Sequence, residues 1–120
     1  MRLLICGSTS FFKDMQKVQW DLKPFGHEVQ IPESAGDGAN TIRTHFNKLL
    51  WAHAILVLNL EKNEVPDYIG PRTFAEMVIA FCLGKDIFLY GNIPELPWQK
   101  EIQALSPILL RGDLSLIKPQ

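Results

Sequence analysis

No stretch of this chain approaches the roughly 18 apolar residues of a membrane-spanning helix. Its opening apolar run, Leu3 to Cys6, has only four residues, too short for the apolar core of a secretory leader. Cysteine is scarce, with two in 120 residues. Both Cys6 and Cys82 sit in apolar runs, where the buried thiols of a reducing compartment are expected. These absences make a cytoplasmic protein with no membrane partner the expectation. Charge of one sign is not in excess either: the net charge is -1, and Lys and Arg are scattered. Without a basic face to track a phosphate backbone, long nucleic acid is not an expected partner. Small anions stay open, because a helix N-terminus binds them without net charge. Repeats, low-complexity tracts and linkers are missing, so residues 1–120 read as one domain. Apolar residues make up 47%, enough for a sizeable core.

"RLLICG" reads as a strand buried on both faces, followed by N-cap candidates in "STS". Phe11, Met15, Val18 and Leu22 then form a helical stripe, ended by Pro24 and Gly26. "HEVQIP" is a short strand and "ESAGDGAN" a long loop, flexible by composition. Residues 40–51 read as a helix, "AILVLN" as the clearest strand, and "LEKNEVPDYIG" as a polar loop long enough to be functional. Pro71 opens a helix striped by Phe74, Met77, Val78 and Phe81, with Gly84 beyond its end. "DIFLYG", "WQKEIQAL", "PILL" and "GDLSLIK" add a strand, a short helix, a weak strand and a last helical turn or two. Strand–helix alternation repeated about five times predicts an α/β, flavodoxin-like or Rossmann-like three-layer sandwich. The expected parallel sheet has about five strands in the order 2-1-3-4-5. In that order ligands bind beyond the carboxyl ends of strands one and three, between Gly7–Ser10 and Asn59–Gly70.

Gly7, Ser8 and Thr9 could hold a phosphate or sugar oxygen there, or simply cap a helix. Neither the dinucleotide fingerprint nor the phosphate-loop pattern is present. Glu76 also has two readings. Thr73 and Glu76 fit a capping box. Yet a proline at the first helical position makes Gly70 the N-cap and leaves Glu76 in the second turn, facing the crevice near the positive end of the helix dipole. His45 could point along the crevice or be a partly exposed surface residue. With His27, His45 and His53 on separate elements, no pair has metal-ligand spacing on one face, so no metal is expected; this fold can hold a flavin, but the chain offers no diagnostic for one, and no cofactor is expected. Asn59 and Asn92, at strand ends, could read a ligand's hydroxyls or favour turns. Trp20, Trp51 and Trp98 read as packing or subunit contacts. A phospho-receiver is excluded, since Gly-Ser-Thr-Ser and Asn59 stand where its acids belong.

The segments "ICGSTSFF", "AHAILVLNLEKNEVPDYIG", "TFAEM" and "GKDIFLYGNIPELP" resemble the nucleoside 2-deoxyribosyltransferase superfamily, which includes the 2'-deoxynucleoside 5'-phosphate N-hydrolases. The resemblance spans about residues 2 to 118 and is most specific over 52–77. It implies a flavodoxin-like domain acting at the N-glycosidic bond of a 2'-deoxynucleoside or its 5'-monophosphate. Glu76 falls at the position of the nucleophile that attacks the anomeric carbon, as in a retaining glycosidase. Gly7, Ser8 and Thr9 fall in the loop that holds the sugar or phosphate, and Gly70 and Arg72 in the loop before the nucleophile. Where the family carries an Asp that protonates the leaving base, this chain has His45, whose ordinary range suits that task. Where the family has a nucleophile-positioning Tyr, it has Leu4, and Tyr68 is the candidate replacement hydroxyl. The resemblance further implies a homodimer or larger homo-oligomer, with "GNIPELPW" a candidate contributor to a shared pocket. Two other classes stay open: a nucleoside- or nucleotide-binding module without turnover, and a scaffold assembled through helices and tryptophans.

Overall fold

The computed structural model describes residues 1–33 and 38–118. Of the loop expected over 33–40, positions 34–37 lie outside the described residues, and Ala39 and Asn40 already belong to the second helix. Five strands form one parallel sheet: β1 (Arg2–Cys6), β2 (Glu28–Gln30), β3 (Ala54–Val57), β4 (Asp86–Leu89) and β5 (Ile108–Leu109), in the order β2-β1-β3-β4-β5. The helices between them are α1 (Phe12–Leu22), α2 (Ala39–Trp51), α3 (Pro71–Cys82) and α4 (Gln99–Ala104). The α/β flavodoxin-like expectation and its strand order are what the chain adopts.

Successive side chains of a strand point to opposite faces, and both faces of this sheet are apolar. Leu3, Ile5, Leu56 and Phe88 pack with Phe11, Met15, Val18 and Leu22 around α1. On the other face Leu4, Cys6, Ile55, Val57, Ile87 and Leu89 pack with Leu49 of α2, Met77 and Ala80 of α3, and Ile102 of α4. The central strands therefore read as unbroken apolar runs. The two edge strands are short, β2 with three residues and β5 with two. That is less than "HEVQIP" and "PILL" suggested, because an edge strand is paired on one side only.

Two helix boundaries differ from expectation for local reasons. Ser8 caps a 3-10 turn, Thr9–Phe11, and α1 proper begins only at Phe12. Pro24 does not end α1. It sits at the start of a further 3-10 turn, Lys23–Phe25, and Gly26, with φ +83°, makes the turn out. The register places Cys6 beside Val57 and Val57 beside Leu89. The three central strands thus leave the sheet level with one another, and their loops share one rim. Among the described residues no helix is long and apolar enough to cross a membrane.

His27, just before β2, is buried at 6% exposure. Burial first, and then the Met1 amino group 3.0 Å from its Nδ1, pushes the ring below its ordinary value of 6.5. A histidine held neutral in the folded state binds fewer protons there than in the unfolded chain. Its contribution to stability is therefore complete above 6.5 and is lost as pH falls through the lowered folded value. Denaturant midpoints measured from about pH 7.5 down to about pH 5 should fall, and His27→Gln should flatten that slope. Parallel curves for the two proteins would show that His27 is not the group responsible.

Candidate active site

The start of α3 decides what Glu76 can do. Gly70 is the N-cap, with extended backbone (φ -79°, ψ 174°) and no side-chain cap, and Pro71 takes the first helical position. Thr73 lies inside the helix and is buried, so the capping box does not form. Glu76 stands in the second turn, and its Oε2 lies 2.8 Å from His45 Nε2. His45 occupies the second turn of α2. Both helices begin at the carboxyl rim of the sheet, as a parallel crossover requires. The surface reading of His45 is overturned, because its side chain is only 5% exposed against 15% for Glu76. With its proton on Nε2, the imidazole donates to the carboxylate. Nδ1, on the far side of the ring, is buried without a hydrogen-bond partner.

The third member of the cluster is Cys6, the last residue of β1, on the same strand face as Leu4. Burial, and secondarily the charge of Glu76, push its thiol well above the ordinary value of 9.0. It therefore stays protonated at neutral pH. The expectation of two buried thiols holds for Cys6 only, since Cys82 is exposed at the end of α3.

Two hollows of about 220 Å³ each flank this cluster. One lies between α2 and α3, and its walls include Ile42, Phe46, Leu49, Ile79 and Glu76. The other is polar and contains Gly7, Ser8, Thr9, Lys62, Tyr68 and Gly70. Arg72 lines both. The first-loop residues and Glu76 thus belong to neighbouring hollows rather than a single one. Gly7 has to be glycine, because a Cβ there would stand 2.9 Å from the Leu58 carbonyl oxygen. Lys62 was not singled out by its sequence. A tight turn pairs it with Val65, with Asn63 and Glu64 at φ 50° and 66°. Its Nζ donates to Ser8 Oγ at 2.8 Å and lies over the Tyr68 ring. The polar loop itself was legible, but which of its cations turns inward depends on that turn.

Tyr68 lines the polar hollow beneath Lys62, and it is His45 that comes within hydrogen-bond reach of Glu76. Asn59, which could read a ligand's hydroxyls or favour a turn, is a brace at 2% exposure with both ends of its amide bonded to the backbone. Its Nδ2 donates to the carbonyl oxygens of Asn92 (2.9 Å) and Asp67 (3.4 Å), and its Oδ1 accepts from Gly91 N (2.8 Å). Asn92 N donates in turn to Asp67 Oδ1 at 3.1 Å. The amide therefore ties the loop after β3 to the loop after β4.

Solved structures with the same architecture include a 2-deoxyribosyltransferase from Bacillus psychrosaccharolyticus. It is similar over 91% of this chain and 98% of its own, with a TM-score of 0.61 and 16% identity. A conserved protein from Enterococcus faecalis V583 is similar over 88% of this chain and 74% of its own, with a TM-score of 0.55 and 12% identity. No protein-family model matches the chain, and no curated protein matches its sequence. The fold is nucleoside 2-deoxyribosyltransferase-like.

Replacing Asn59 with Ala should strand the Gly91 N–H and the Asn92 carbonyl, at about 1–3 kcal/mol. The urea midpoint should drop accordingly with an unchanged slope. A midpoint equal to that of the parent would mean the brace is dispensable.

Proposed function

We propose that this chain cleaves or transfers the N-glycosidic bond of a 2'-deoxynucleoside or its 5'-monophosphate, with Glu76 as nucleophile. The observation that carries the reading is the Glu76 carboxylate itself. It sits in the second turn of α3 at the sheet's carboxyl rim, borders a hollow and lies 2.8 Å from His45. The resemblance of the sequence and the likeness in fold support the same chemistry.

A glycosidic nucleophile must be ionised, oriented and about 3 Å from the anomeric carbon. In this reading His45 holds Oε2, leaving Oε1 for the sugar. As Glu76 forms its bond to the anomeric carbon, His45 in its imidazolium form gives the Nε2 proton to the departing base and is left as neutral imidazole. Water or a second base then resolves the glycosyl-enzyme. The base would occupy the apolar hollow beside Ile42, Phe46 and Ile79. The 5' end would lie in the polar hollow, where Gly7, Ser8, Thr9, Gly70, Lys62 and Arg72 offer backbone, hydroxyl and cationic groups to a phosphate. A homo-oligomer belongs to the same reading: Ile42, Phe46 and Leu50, spaced by four on α2, are 49%, 39% and 49% exposed.

Free base measured by chromatography from a panel of deoxynucleosides and deoxynucleotides tests the reaction. Glu76→Ala should reduce release to background, Glu76→Gln should bind without releasing base, and His45→Ala should lower kcat about 100-fold. Activity that survives Glu76→Ala would remove the mechanism. Lys62→Ala separates the phosphate from the rest. KM should rise for the 5'-monophosphate and stay level for the nucleoside, whereas equal changes in both would take the phosphate away from the polar hollow.

The second reading is a nucleotide-binding module without turnover, and Leu4 favours it. At the position where the resemblance carries a hydroxyl, Leu4 is fully buried in the core and gives Glu76 nothing to bond. Stoichiometric binding of the monophosphate with no base released on long incubation would decide for it.

A further inference from the structure

The glycosidic reading has no use for the Cys6 thiol, yet Cys6 is part of the most concentrated group of ligating atoms in the described residues. Its Sγ, a ring nitrogen of His45 and a carboxylate oxygen of Glu76 all lie within 4.8 Å of one another. They come from β1, α2 and α3, three separate elements, which is why no spacing along the chain betrays them. Thiolate, imidazole and carboxylate together suit zinc and similar thiophilic divalent ions. Around a tetrahedral zinc, with bonds of about 2.0–2.3 Å, ligand atoms stand roughly 3–4 Å apart. A modest inward turn of side chains would therefore close the set. The buried Nδ1 of His45 has no hydrogen-bond partner, so no bond made on that side of the ring opposes its turning. Glu76 borders the α2–α3 hollow, giving an ion a way in and room for a water.

We propose that Cys6, His45 and Glu76 form a three-ligand site for a thiophilic divalent cation, zinc being the reference case, with a water from the α2–α3 hollow as fourth ligand. On binding, the Cys6 sulfur bonds to the metal and its proton leaves to solvent, while the His45 proton moves from Nε2 to Nδ1 so that Nε2 can ligate, its hydrogen bond to Glu76 being replaced by the bonds of both groups to the metal. The ion occupies the Glu76 oxygen that glycosidic attack needs. If the proposed function holds, on which this one consequence rests, metal and sugar therefore compete, and zinc is a reversible inhibitor rather than a cofactor.

The test uses Co²⁺ alone, titrated into the metal-free full chain carrying Cys82→Ser, which removes the exposed second thiol. One equivalent should produce sulfur-to-cobalt charge-transfer absorption and the visible bands of tetrahedral cobalt, both abolished by added Zn²⁺. Cys6→Ala should lose the charge-transfer band, and His45→Gln should weaken cobalt binding by at least about 10-fold. Circular dichroism checks that each variant is folded. If Cys6→Ala does not fold, persistence of the spectrum in His45→Gln with unchanged affinity still overturns the site. No charge-transfer band in the parent, or the same band in folded Cys6→Ala, overturns it directly. The spectrum is independent of base release. Cobalt binding with no glycosidic activity upholds the site and counts against the enzyme reading, and activity without cobalt binding does the reverse.

Discussion

A carboxyl group that keeps only about a seventh of its side-chain surface in water needs a hydrogen-bond partner, and for Glu76 that partner is His45. The pair couples α2 to α3 across the carboxyl rim and fixes which way the acid faces. It is a poor device for stability alone, since well-packed apolar residues in place of a buried hydrogen-bonded polar pair are commonly as stable or more so. Its value lies in geometry: one oxygen is held while the group remains at the edge of a hollow.

Around that pair the surroundings divide by polarity. The wall between α2 and α3 is mostly aliphatic and aromatic, with Arg43, Arg72 and Glu76 as its charged members, whereas the neighbouring wall is built from a glycine-led loop, hydroxyls and Lys62. Arg72 stands on both. A molecule with a flat apolar end and an anionic or hydroxylic end joined by a short spacer matches this division. The brace at Asn59 belongs to the same design at one remove. It holds the loop that carries Lys62 and Tyr68 against the loop after β4 without facing a ligand itself.

The sheet was readable because its signal is local. Unbroken apolar strands, a proline at the first position of α3 and glycines past the helix ends each act within a few residues, and together they set the alternation of strands and helices that the flavodoxin-like order was read from. Of the two readings of Glu76, the one that Pro71 favoured is what the helix adopts: Gly70 is the N-cap and the acid falls in the second turn. What lay hidden depends on distant elements meeting. His45 looked like a surface residue because its burial is made by α3, some thirty positions on. Cys6 looked like core filling because nothing near it in the chain points to an acid. Asn59 kept two readings for a related reason, since an amide at a strand end can face a ligand or serve the backbone around it, and the bonds that decide, to Gly91 and Asn92, come from the far side of β4. Lys62 depended on a turn whose handedness rests on two positive φ angles, one of them at a glutamate.

The shortness of β2 and β5 has a bearing on how the molecule behaves in company. An open parallel sheet ends in two borders of unsatisfied amides, and a long flat border invites a second chain to add itself. Here one border runs for three residues and the other for two. So little template is left that strand-by-strand growth into fibres has almost nothing to seed it. The sheet borders thus give another native copy little to pair with.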